Sequence, residues 1–113
     1  DVIRSENVDR LDAKLVLQGA NIPITAEAET RLHQRGVLSL PDFIANAGGV
    51  ICAAVEYAGG TQSQALQAIE EKITRNTREV LDLARESGST PRTAAVDMAE
   101  KRVRAAMGYR RMF

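Results

Sequence analysis

Two asparagines, a glycine pair, one cysteine and one histidine are the residues whose type and spacing invite chemistry. Asn21 closes the turn Gln18-Gly19-Ala20-Asn21, where a carboxamide can bond its own backbone or face a ligand. Asn46 lies inside the apolar stretch Phe43–Tyr57. A buried amide there costs desolvation free energy unless a structural hydrogen bond or a ligand satisfies it. Each carboxamide offers a donor and an acceptor without adding charge. Gly48 and Gly49 follow, and a glycine within a helix costs about 1 kcal/mol relative to alanine. Close approach of a helix or a ligand is the expected compensation.

Cys52 stands alone, so it can form neither an internal disulfide nor a cysteine-based zinc site by itself. On an apolar helix it reads as a small, inert, buried hydrophobe. His33 falls near a helix C-terminus, where a partly charged imidazole suits the dipole. One histidine without further nitrogen or sulfur ligands makes no zinc site. We therefore expect no metal site, and neither Cys52 nor His33 as a catalytic residue.

The elements that must position these groups follow from pattern. Lys14–Gln18 is a short apolar run ending at Gly19, and Val37–Leu40 is another, closed by Pro41-Asp42. The first does not alternate in polarity, which suits a parallel strand covered on both faces, and the second is expected to be its parallel partner. Thr25 caps a helix between them, with Glu27 and Glu29 at its positive end and Gly36 as its stop. Strand, helix and strand make a parallel βαβ unit. Phe43–Tyr57 is apolar on nearly every side and predicts one buried helix.

Thr61 caps the next helix, whose apolar face is Leu66, Ile69, Ile73, Val80, Leu81 and Ala84, and Ser87-Gly88-Ser89 ends it. Thr90-Pro91 opens the last helix, with Ala94, Ala95, Met98, Ala99, Val103 and Ala106 on one side. Residues 1–13 are polar and carry little pattern. The fold class is helix-rich α/β, with residues 1–42 ending a strand-bearing unit and residues 43–113 forming closing helices. Two apolar parallel strands are marginal alone and need neighbours. The chain begins with Asp1, so we expect a processed chain or a piece of a longer one.

Composition excludes several functions. Fifteen Lys and Arg balance fifteen Asp and Glu, which removes a strongly basic nucleic-acid binder from consideration. Aromatics make up 4% and Trp is absent, so a base-stacking platform is not expected. The longest apolar stretch falls short of the roughly 18 residues of a membrane span. The mixed charges at the start do not form a signal peptide, and a reducing cytoplasm is the expected compartment. The basic tail, Lys101 to Arg111, reads as a solvated helix end, and Met107, Tyr109, Met112 and Phe113 could dock on another domain.

Three segments carry a resemblance. They are Gln18-Gly19-Ala20-Asn21 with Pro23 and Thr25, the stretch from Pro41-Asp42-Phe43 through Asn46-Ala47-Gly48-Gly49-Val50, and Arg92-Thr93-Ala94-Ala95. Together they resemble the C-terminal part of the glutamate/leucine/phenylalanine/valine dehydrogenases, which oxidatively deaminate L-amino acids with NAD or NADP. The resemblance implies the last part of a Rossmann-like nucleotide-binding domain. It implies that Asn21 would touch the nicotinamide ribose and Asn46 the nicotinamide side. Gly48 and Gly49 would admit cofactor and substrate close to the backbone, and Val50 would line the amino-acid pocket.

Ala53 stands where glutamate enzymes carry a serine for the distal carboxylate. Alanine cannot bond a carboxylate, which opens the way to an apolar substrate, but a Lys elsewhere can hold that group, and glutamate stays the leading expectation. The family's catalytic Lys and Asp belong to an N-terminal domain, and no Gly-x-Gly-x-x-Gly turn occurs here for the pyrophosphate. We therefore expect this chain alone to be inactive and to bind cofactor weakly or not at all. Its expected partners are the missing catalytic domain, the first half of the nucleotide-binding domain and other copies of itself. The competing expectation is a non-enzymatic helical interaction module derived from the same family.

Overall fold

The computed structural model describes the backbone of residues 2–112 and the side chains of residues 2–110. The chain is helix-rich α/β, with β1 (Leu15–Leu17), α1 (Ala26–Gln34), β2 (Leu38–Leu40), α2 (Asp42–Ala45), α3 (Gly48–Tyr57), α4 (Gln62–Ser87) and α5 (Pro91–Met112). The strands pair in parallel with Leu15 opposite Leu38, Val16 opposite Ser39 and Leu17 opposite Leu40. Helix α1 makes the crossover between them, as strand–helix–strand spacing requires.

Local chemistry sets most boundaries. The Thr25 hydroxyl accepts from the Ala28 N–H and starts α1. Gly36, with φ of 78°, then turns the chain into β2. At α4, Thr61 and Gln64 exchange side-chain-to-backbone bonds in a capping box. Gly88 ends that helix with φ of 65°. The Thr90 hydroxyl accepts from the Thr93 N–H, and Pro91 takes the first position of α5.

Two apolar clusters result. Ala28 and Leu32 of α1 pack with Val8, Ile24 and Val37, backed by Ile3, Leu11 and Val16. Val80 and Ala84 of α4 pack with Leu40, Ile44, Ala94 and Ala95. The N-terminal segment, which showed no pattern, contributes the fully buried Val8 in a short 3-10 turn, Val8–Arg10. Ile3 also forms a parallel bridge to Ile24. Arg35 donates to the carbonyls of Val8 and Leu11 at 3.0 and 2.7 Å and holds that segment on α1.

Three expectations are corrected. The strands are not covered on both faces, because Leu15, Leu17 and Leu38 are exposed. Phe43–Tyr57 is not one buried helix. It breaks at Asn46-Ala47, and only Ile51 of α3 is buried, because α3 packs chiefly on α4. Cys52 is accordingly half-buried rather than interior. On α5, Ala94 and Ala95 are buried, but Val103 and Met107 are exposed where the helix runs out past its neighbours. Met112 and Phe113, expected to dock elsewhere, lie outside the described side chains.

The Cα radius of gyration is 16.1 Å. A self-contained domain of this length measures about 13 Å. The run of α5 exposed from Lys101 to Arg110 contributes to the difference. Leu32→Ala removes a fully buried side chain and lowers stability by about 2–5 kcal/mol in urea unfolding. Thr61→Ala removes only a cap and costs about 1 kcal/mol. Equal losses for the two would contradict this division between core and cap.

Candidate functional site

The site lies at the carboxyl ends of the two parallel strands, where open α/β sheets hold ligands. The chain leaves β1 through Gln18 and Gly19 into the loop bearing Asn21, and leaves β2 through Pro41 into α2, which ends at Asn46. Asn46 Nδ2 donates to Asn21 Oδ1 at 2.9 Å. The structure thus brings together two residues 25 apart in sequence. Asn46 sits in the corner between α2 and α3, not in a helix interior, so its amide avoids the desolvation expected of it. Among the described residues, no side-chain bond engages Asn21 Nδ2 or Asn46 Oδ1, which leaves a donor and an acceptor available.

Gly48, Gly49 and Val50 form the first turn of α3 beside this pair. A Cβ at Gly48 would meet Ile69 of α4 at 3.7 Å, an ordinary contact, and one at Gly49 would meet nothing. No close helix approach therefore requires either glycine. Val50 is 76% exposed, and Ala53, one turn on, is exposed on the same helix. Cys52 faces Glu56, with Sγ 3.6 Å from Oε1. Partial burial, then the Glu56 carboxylate, push its thiol pKa up, so it is a poor nucleophile. His33 is exposed near the end of α1.

Behind the asparagine pair is an ionic network that sequence reasoning missed. Arg92 of α5 reaches Glu29 of α1 at 2.6 and 3.1 Å, Gln18 Oε1 at 3.2 Å and Asp42 at 3.5 Å. Gln18 is buried and donates to Glu29 and Ser39 at 2.7 and 2.9 Å. The Glu29 and Asp42 side chains are each 13% exposed, against 37% for Arg92. One signal was available. A cation in the first turn of α5 opposes the helix dipole and therefore calls for acidic partners. Their identity, 63 and 50 residues away, was not readable locally.

Burial acts to raise the Asp42 pKa. The N–H groups of Ile22 and Phe43, followed by the Arg92 charge, outweigh it and hold the carboxyl below its ordinary 3.8. The hydrogen bonds that Arg92 donates to Glu29 are the largest influence on its pKa and raise it. Ile22 is the only described non-glycine residue with positive φ, at 48°. For a β-branched residue that conformation costs on the order of 1–3 kcal/mol and persists only when its surroundings enforce it.

The family model described as Glutamate/Leucine/Phenylalanine/Valine dehydrogenase matches residues 1–111. The chain belongs to this family. A glutamate dehydrogenase of Aeropyrum pernix is 43% identical over 97% of this chain, which spans 29% of that relative. An NADP(+)-dependent glutamate dehydrogenase of Pyrobaculum calidifontis is 38% identical over 97% of the chain, which spans 28% of it. The crystal structure of L-tryptophan dehydrogenase from Nostoc punctiforme superposes with a TM-score of 0.84 at 26% identity, over 93% of this chain and 32% of that one. The chain thus spans less than a third of each of these dehydrogenases. The three segments that carried the resemblance are the ones joined here through Asn21–Asn46 and Arg92–Asp42.

Because the folded-state pKa of Asp42 is depressed, its stabilising contribution is present above 3.8 and lost as pH falls through the folded value. Urea unfolding from about pH 6 down to about pH 3 reads this loss, and Asp42→Asn makes the acid limb shallower. An unchanged limb would remove Asp42 from the acid response. Arg92→Ala leaves two largely buried carboxylates without their cation and costs about 1–3 kcal/mol at neutral pH, less in high salt.

Proposed function

We propose that this chain is the C-terminal segment of an NAD- or NADP-dependent amino-acid dehydrogenase that converts an L-amino acid, glutamate foremost, to a 2-oxo acid and ammonia. The observation that carries this reading is the Asn21–Asn46 pair at the strand ends, in a chain of this family. In this reading residues 1–42 end the nucleotide-binding domain and residues 43–113 close it. The other copies and the upstream catalytic domain complete the enzyme.

The residues present suit one end of a nicotinamide dinucleotide. A free carboxamide donor and acceptor, side by side and exposed, match a ring carboxamide and a ribose hydroxyl in hydrogen-bonding character. No glycine-rich turn in these residues suits the pyrophosphate. When bound, the nicotinamide supplies a hydride acceptor. Asn21 and Asn46 orient its ring end. Gly48 and Gly49 keep the space before α3 clear of side chains, and Val50 and Ala53 present an apolar surface to the amino-acid side chain. Ala53 has no group for a distal carboxylate, so in glutamate turnover that charge is bound from outside this segment. The choice between NAD and NADP likewise rests on residues after an earlier strand.

The test is to express the complete gene product and follow NAD and NADP reduction with L-glutamate, leucine, phenylalanine, valine and tryptophan. Glutamate is expected to be the fastest. Asn46→Ala raises the coenzyme KM by about tenfold, as loss of a positioned polar contact does. The 113-residue chain alone shows millimolar or weaker coenzyme binding. A complete product that reduces neither coenzyme with any of the five amino acids overturns the enzymatic reading and favours the interaction module.

A further inference from the structure

The partnership of Asn21 and Asn46 depends on a residue other than the asparagines. Ile22, next to Asn21, has a left-handed backbone, yet its side chain is exposed, so packing does not hold it there. Its N–H donates to Asp42 Oδ2 at 2.9 Å. Asp42 Oδ1 accepts from the Phe43 N–H at 2.9 Å, and the Asp42 carbonyl accepts from the Asn46 N–H at 2.7 Å. Asp42 is therefore bonded both to the loop that carries Asn21 and to the helix end that carries Asn46. Arg92 fixes the Asp42 carboxylate from behind and lies 5.9 Å over the centre of the Phe43 ring.

We propose that Asp42, held by Arg92, is a positioning residue that sets the alignment of the Asn21 and Asn46 carboxamides and through it the affinity for the coenzyme. The proposal rests on the functional reading above, in which that pair meets the nicotinamide end. Asp42 acts through its neighbours. Its carboxylate is occupied by two N–H groups and a guanidinium. A merely structural aspartate would lower stability and weaken coenzyme and amino acid alike. A positioning aspartate separates the two, because the asparagine pair lies on the coenzyme side.

The experiment uses the complete protein with Asp42→Ala, Asp42→Asn and Arg92→Gln. The first removes the acceptor of the Ile22 N–H, the second keeps an acceptor oxygen without the charge, and the third removes the clamp on the carboxylate. Coenzyme KM rises about tenfold in Asp42→Ala, with the amino-acid KM within about twofold. Asp42→Asn and Arg92→Gln fall between that variant and the parent. Hydrogen exchange at Ile22, read by mass spectrometry without coenzyme, speeds up about tenfold in Asp42→Ala and stays near the parent rate in Asp42→Asn.

Unchanged exchange at Ile22 in Asp42→Ala overturns the proposal. So does an equal rise in both KM values, or an Asp42→Asn as damaging as Asp42→Ala. If Asp42→Ala does not fold, the split between the two KM values in Arg92→Gln decides the matter. If the parent protein has no dehydrogenase activity, the functional reading fails by that result, and the exchange rates at Ile22 alone support or overturn the positioning role.

Discussion

Four elements of this chain are held in register by one guanidinium. Arg92 ties α5 to Glu29 on α1, to Asp42 at the start of α2 and to Gln18 at the end of β1. The two apolar clusters are separate sets of residues, one built around α1 and one between α4 and α5. The network runs from one to the other, at the end of the sheet where the candidate site lies. Ion pairs between exposed side chains contribute little, but here both carboxylates are largely withdrawn from water. Their charges demand a partner, and Arg92 at the first turn of α5 supplies it.

The helix boundaries were legible because short-range chemistry decides them. Thr25, Gly36, Thr61, Gly88 and Thr90-Pro91 each act within one turn of their own position, and each marks an end in the structure. The parallel strand–helix–strand unit was legible for the same reason, since run length and glycine placement are local. The asparagines were nominated by their setting and by family resemblance, and the structure places them in contact.

What was not legible depends on neighbours far along the chain. Val8 is one apolar residue in a polar segment, and nothing nearby announces that α1 covers it. The apolar run Phe43–Tyr57 looked like interior because its composition says nothing of which faces find a partner. Helix α3 packs chiefly on α4, and only its Ile51 is buried, so much of that apolar surface stays open. Glu29 read as an ordinary helix-dipole residue, whereas it is the main partner of an arginine 63 residues away. Asp42 read as the end of a strand motif, whereas it bonds loop and helix together.

The separation of the two clusters has a consequence for the order of assembly. The pairs α3 with α4 and α4 with α5 are neighbours in sequence, and so are α1 and the strands beside it. Contacts of that kind close short loops and form quickly. The Arg92–Glu29 bond closes a loop of 63 residues and gains nothing until both halves are in place. By contact order alone, the Arg92 network is thus the part of this chain whose formation is set by the meeting of distant segments rather than by any local element.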